Sequence, residues 1–160
     1  MAQKESESSG TVHTTARGVV LHESALLLIE RWKSGVHYFS LPGGHIETNE
    51  DPIYTVKREI LEETTIAVDV VNQIIVFQDF PSRHLFYWCT YKSGQPELPS
   101  TSEEYIRSTQ TNSWLPLWMP INKISSIPFG YWEPIRNTLL EIIKANGLSS
   151  LKVVNTKVAR

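Results

Sequence analysis

Residues 43–66 constrain this chain more than any other stretch: Gly43-Gly44 is followed by a run that ends in Arg58-Glu59-Ile60-Leu61-Glu62-Glu63-Thr64-Thr65-Ile66. Asn49, Glu50 and Asp51 offer capping side chains and negative charge, and Pro52 suits a first helical turn, so a helix is expected to begin here. Ile53, Val56 and Ile60 then recur at helical spacing as the stripe expected to face a core. Glu59, Glu62 and Glu63 stand at i, i+3 and i+4, which places three carboxylates on one helical sector beside that stripe. Like charges packed so closely repel unless a cation joins them, and a hard divalent cation that takes oxygen ligands is the simplest partner. A solvated Glu-rich surface would show the same spacing. The glycines in front favour the other reading, because they let backbone approach the carboxylates closely.

Read as a spaced pattern, Gly44, five residues, Glu50, seven residues, then Arg58-Glu59-Ile60-x-Glu62-Glu63-x-Thr65-Ile66, the segment resembles the box of the Nudix family. Thr65 departs from that pattern, which has glycine there, so either the turn after the helix is built differently or the helix runs slightly further. A pattern with this many fixed positions is far more specific than a short glycine motif. The resemblance spans residues 14 to 145 and implies an α+β fold: a Nudix-type α/β/α sandwich whose mixed β-sheet carries a loop-helix-loop box. It also implies Mg²⁺-dependent hydrolysis of a nucleoside diphosphate linked to another group, with water attacking phosphorus and Mn²⁺ as an alternative ion. On it, Gly43, Glu59, Glu62 and Glu63 are expected metal ligands. Arg58 is expected to brace a carboxylate, Glu50 to support the loop, and Gly44 and Arg31 to meet substrate phosphate, with a solvated strand end as the competing reading of Arg31. Glu59 or Glu62 would take the proton from water. Glu103 or Glu104, in a distant Ser/Thr-rich loop, are candidates for an outside base or ligand, with a solvated loop pair as the competing reading. MutT-like triphosphate hydrolysis is the default by size; a catalytically silent nucleotide- or metabolite-sensing module is the alternative.

Composition narrows the rest. A chain of 160 residues with 41% hydrophobic and 20% charged residues suits a single domain with a proper core. The expected layout is a polar lead over 1–12, a domain over 13–146, and a tail over 147–160 that reads either as an edge strand or as disordered. A formal net charge of −2 speaks against a nucleic-acid polymer as partner. No run is long enough to span a bilayer, the start has no apolar signal-like core, and the single Cys89 reads as a buried thiol. Together these point to a cytoplasmic protein acting on a small molecule; a homodimer is compatible with the resemblance, and nothing in the chain decides it.

Strands are expected over Thr15–Leu21 and Ala25–Trp32 around a His22-Glu23-Ser24 turn, and near Tyr38–Leu41. A long pair over Val68–Phe80 and Leu85–Lys92 is expected to turn at Pro81-Ser82-Arg83, with a further strand over Trp114–Met119. Residues 93–112 read as a long connection, disordered or functional. Pro120–Ile127 reads as a turn or short helix, and Ile135, Leu139, Leu140, Ile142 and Ile143 mark a last helix that Gly147 would end. His37, Arg83 and His84 are candidates for the mouth of a site. Among the aromatics, Phe39, Phe77, Phe80, Tyr87, Trp114, Trp118, Tyr131 and Trp132 are candidates for a stacking slot, with the Phe129-Gly130-Tyr131-Trp132 cluster foremost.

Overall fold

The structure is a computed structural model and describes residues 12–131 and 133–156. Most of the expected polar lead, Trp132 and the last four residues of the tail lie outside the described residues. Strands β1 (His13–His22), β2 (Ala25–Lys33), β3 (Val36–Ser40) and β4 (Gly43–His45) lead into helix α1 (Pro52–Thr64). Strands β5 (Ala67–Asp79) and β6 (Ser82–Ser93), helix α2 (Glu103–Arg107), strand β7 (Asn112–Pro120), a 3₁₀ turn over Ile121–Ser126, helix α3 (Glu133–Lys144) and strand β8 (Lys152–Asn155) follow. The strand order is β3-β2-β1-β6-β5-β8, with β4 on β1 and β7 on β2. The β1/β6 and β5/β8 pairs are parallel and the others antiparallel, so the sheet is mixed.

Neighbouring residues of the central strands point to opposite faces, as the two-residue strand period requires. Val19, Leu26 and Leu28 join Ile135, Leu139, Ile142 and Ile143 of α3 on one face. Val20 and Leu27 join Val56 and Ile60 of α1 on the other. Both faces are covered, which explains why these strands read as continuous apolar runs and why the layers are helix, sheet, helix. Burying Val56 and Ile60 stabilises the docking of α1 by roughly 1.5–3 kcal/mol each. The helix lies close on β1, for a Cβ at Gly18 would collide with Ile60 Cδ1.

The hairpin strands β1 and β2 pair only beside their turn, at Leu21 with Leu26 and His22 with Ala25. Beyond that point they part. β4 takes the vacated edge of β1, pairing Arg17 with Gly43, while β3 takes that of β2, pairing Arg31 with Tyr38. β7 runs along the other edge of β2 and pairs Trp114 with Arg31. This parting of strands opens the cleft described below.

Several sequence expectations need correction. Ile53 is 46% exposed although it shares the helical sector of Val56 and Ile60, because it lies in the first turn of α1, ahead of the packed stretch, which starts at Thr55 and also buries Thr64. The stretch 93–112 is neither wholly irregular nor a plain connection; it holds α2, capped by Ser102 and with Glu103 and Glu104 in its first turn. The β5–β6 connection is Phe80-Pro81, ahead of the expected Ser82-Arg83, which already belong to β6. Of the two readings of the tail, the edge strand is the one seen, as Lys152–Asn155 form β8 in parallel on β5.

At the start of α1, Asp51 Oδ1 accepts from Ile53 N at 2.8 Å, with Pro52 in the first turn. At its end the helix does not run on, nor is the turn rebuilt: Thr65 takes the left-handed conformation, φ 62° and ψ 4°. That backbone costs a residue with a Cβ roughly 1–2 kcal/mol. Thr65 N donates to Leu61 O at 3.0 Å, and the Thr65 hydroxyl donates to Gln95 O at 2.6 Å.

Candidate functional site

α1 presents Glu59 and Glu63 one turn apart toward the cleft, and α2 brings Glu104 from outside the box to meet them. One carboxylate oxygen from each lies within 4.8 Å of the others. Glu63 is 7% exposed. Burial pushes its carboxyl well above the ordinary carboxylate range, the hydrogen bond and charge of Glu59 push further, Glu104 adds to the rise and Arg17 opposes it. Burial and the crowded negative charge thus favour the neutral form of Glu63 more than in an ordinary carboxyl.

The glycine that opens the box pattern has a visible reason, since Gly44 touches this group directly: a Cβ there would sit 2.7 Å from Glu59 Oε1. Gly43, at φ 152°, is held against β1, where a Cβ would collide with the Ala16 carbonyl oxygen. Both residues line the same cavity as the carboxylates.

Arg58 is a fork. Its Nε and Nη2 donate to the two oxygens of Glu50 at 3.1 and 2.9 Å, and Nη1 donates to Glu59 at 3.0 Å and Glu62 at 3.2 Å. Thr55 also donates its hydroxyl to Glu50. Arg58 first, then Thr55, hold the Glu50 carboxyl down at about 2. Glu50 thereby fixes Arg58, and Arg58 orients Glu59. Glu62, with a side chain 54% exposed, lies outside the tight trio and, among the described residues, bonds to Arg58 alone. With Glu103, Arg58, Glu59 and Glu104 it lines an adjoining cavity of about 570 Å³.

The main cavity, about 840 Å³, is acidic on one wall and cationic and aromatic on others. Arg31 and Lys33 point from one face of β2, and Tyr38 and Trp114 flank Arg31 in register. Arg31 is no solvated strand end: it is 8% exposed, its Cζ lies 3.7 Å from the Trp114 ring centroid, and Nη1 donates to Asn112 Oδ1 and Ser113 O. Arg17 also lines the cavity, anchored by Nη1 to Leu41 O at 2.9 Å and lying 5.9 Å from the Tyr131 ring centroid. His84 joins them through Thr15 Oγ1 at 2.7 Å, with burial holding its imidazole below the usual range.

Sequence does not single out Arg17, Lys33 and Tyr38. The one available signal is alternation of charged residues within apolar strands, at Arg17 and again at Arg31 and Lys33. Other candidates fall away from the cavity: His37 stacks on Trp32 and pairs with Glu30, Arg83 and Phe80 are exposed, and Trp118 packs with Tyr91 and His22. Phe39 and Tyr87 are core, Phe77 reaches the cavity from the core, and Tyr131 lines it. Cys89 is buried, which pushes its thiol up to about 12.

The donor set fits a hard divalent cation: carboxylate oxygens from two elements converge, one of them held by an arginine fork, and their mutual repulsion is what a cation would relieve. No helix among the described residues is long and apolar enough to cross a membrane.

Comparison with known proteins agrees with this geometry. The chain shares 40% identity with a "MutT-like protein" of Streptomyces ambofaciens over 72 residues, 44% of this chain and 46% of that protein, so the match spans about half of the relative's length. The fold resembles that of an ADP-ribose pyrophosphatase from Streptococcus suis, with TM-score 0.64 and 14% identity over 91% of this chain and 100% of that one. A UDP-X diphosphatase gives TM-score 0.65 and 16% identity over 94% and 70%. A Nudix family hydrolase from Clostridium perfringens gives 0.63 and 17% over 83% and 97%. The sequence model of the NUDIX domain matches residues 12–139, most of the chain, and the protein belongs to the Nudix family.

Proposed function

We propose that this protein is a Mg²⁺-dependent pyrophosphohydrolase that cleaves the diphosphate of a nucleoside diphosphate linked to another group. The observation that carries this is a single cavity that joins the Glu59, Glu63 and Glu104 trio to Arg17, Arg31 and Lys33 and to the rings of Tyr38 and Trp114. The fold is shared with proteins named as an ADP-ribose pyrophosphatase and a UDP-X diphosphatase, and a nucleotide diphosphate substrate is in keeping with those names.

Glu59, Glu63 and Glu104 would hold Mg²⁺ or Mn²⁺, with Gly43 beside them as the expected backbone ligand. A divalent cation there supplies neutralising charge for the phosphate oxygens and acidifies water near neutral pH. The chain's own residues do the rest. Arg58 keeps Glu59 aimed into the cavity, and Gly44 leaves room for its carboxylate. Glu59 or Glu62 accepts the proton as water attacks phosphorus, and the anhydride P–O bond breaks toward the leaving phosphate. Arg17, Arg31 and Lys33 meet the remaining negative charge, and Trp114 with Tyr38 offers faces for a nucleobase. The buried, lone Cys89 supports a reducing, cytoplasmic setting.

A panel of nucleoside triphosphates, nucleotide sugars and ADP-ribose, assayed with Mg²⁺ and again with chelator, tests the proposal. Chelator-sensitive release of a nucleoside monophosphate from at least one class is expected. A panel left intact while nucleotides bind would favour the silent sensing module.

A further inference from the structure

Thr65 occupies a backbone conformation that glycine adopts freely and a β-branched residue resists, at the one position where the box departs from its pattern. Contacts beyond the helix accompany that strain. The Thr65 hydroxyl donates to Gln95 O at 2.6 Å, and the adjacent Thr64 O accepts from Glu97 N at 3.0 Å. Gly94 presses on the same turn, where a Cβ would lie 2.5 Å from Thr65 O, and Tyr91 Oη donates to Gly94 O at 2.8 Å. Residues 94–97 are therefore fastened to the C-terminal end of α1. From there the chain enters the turn that starts α2: Ser102 N donates to Pro99 O at 3.0 Å, and Tyr105 N donates to Ser102 Oγ at 3.1 Å. Glu104 lies inside that first turn and meets Glu59 and Glu63.

We propose that Thr65 is a positioning residue: its hydroxyl tethers the 94–102 segment so that Glu104 is delivered to the carboxylate trio. The same helix that presents Glu59 and Glu63 thus fastens, at its own end, the loop that brings the third carboxylate. A glycine at 65 would relax the backbone and release the tether. The departure from the box pattern and the ligand supplied from outside the box then form one device. This rests on the reading of Glu104 as a cation ligand.

The test is a titration of the full chain with Mn²⁺ alone, for wild type, Thr65→Gly and Thr65→Ser, each also in a Glu104→Gln background. Losing one net hydrogen bond from the tether predicts that Thr65→Gly weakens Mn²⁺ binding about fivefold. Thr65→Ser, which keeps the hydroxyl, should retain wild-type affinity, and Thr65→Gly should add no further loss once Glu104 is gone. Unchanged affinity in Thr65→Gly overturns the proposal. So does a loss that persists in full in the Glu104→Gln background, which would mark a general effect on the end of α1. A wild type that binds no Mn²⁺ would instead bring down the functional reading, and this proposal with it.

Discussion

Gly44→Ala separates the integrity of the fold from the integrity of the site. An alanine Cβ would lie 2.7 Å from Glu59 Oε1 and 2.8 Å from its carboxyl carbon, whereas ordinary contact begins at 3.4 Å. The Glu59 carboxylate must retreat by about 0.7 Å, beyond the roughly 0.5 Å within which a functional group has to be held. It can do so because it is the end of a flexible side chain, and Gly44 is not among the glycines with positive φ. The gain in unfolded-state rigidity, about 0.4–1 kcal/mol, offsets part of the crowding. Stability should therefore change by no more than about 1 kcal/mol, a melting shift within about 4 °C. The retreat strains the 3.0 Å Arg58–Glu59 bond and disperses the trio, so Mn²⁺ affinity and turnover should fall about 10–100-fold, as when a ligand loses its support. Gly43→Ala is the contrast: its Cβ would lie 2.6 Å from Arg17 Cα, a backbone atom that cannot step aside, and should lower stability by about 1–3 kcal/mol. Calorimetry with Mn²⁺ titration reads both. A Gly44→Ala protein that binds and turns over like wild type would refute the placement of Glu59 at the working end of the cavity.

Trp114→Ala should raise KM for the nucleotide more than it lowers kcat, because its ring is proposed to hold the base and not the reacting phosphates; a pure kcat effect in steady-state kinetics would contradict that role. Glu50 has a folded pKa of about 2 against an ordinary 4.5, so it stabilises the fold above about pH 4.5 and loses that contribution as pH falls toward 2. Denaturant unfolding between those pH values should show a shallower acid loss in Arg58→Met, and an unaltered slope would remove Arg58 as the cause. Cys89, with its thiol pushed up to about 12, should resist a thiol reagent at pH 8 in the native protein and react on unfolding.

The box is legible from sequence because its information is local. Helical spacing alone brings Glu59 and Glu63 to one sector, and Asp51-Pro52 marks where the helix starts. Arg17 and Tyr38 are not legible: Tyr38 pairs with Arg31 across a short hairpin, yet nothing local shows that this face meets the cavity, and Arg17 reaches the cavity only through its pairing with the distant Gly43. Glu104 is open to two readings for the same reason: α2 is a helix of 5 residues, too short for periodicity, and only the Ser102 cap followed by acidic residues marks it. Ile53 misleads in the other direction, since an amphipathic pattern cannot show that the packed stretch starts only beyond it. Arg31 stays open between a phosphate contact and a solvated strand end because nothing in its own strand reveals that Trp114, from residues far along the chain, lies against its guanidinium.

The central claim is that carboxylates from α1 and α2 together hold the cation on which hydrolysis depends. A Mn²⁺ titration of wild type beside Glu59→Gln, Glu63→Gln and Glu104→Gln, with hydrolysis of the best panel substrate followed in the same samples, tests it most directly. Each variant should lose at least about tenfold in Mn²⁺ affinity, with turnover falling alongside. Full affinity and turnover in Glu63→Gln or Glu104→Gln would contradict the account.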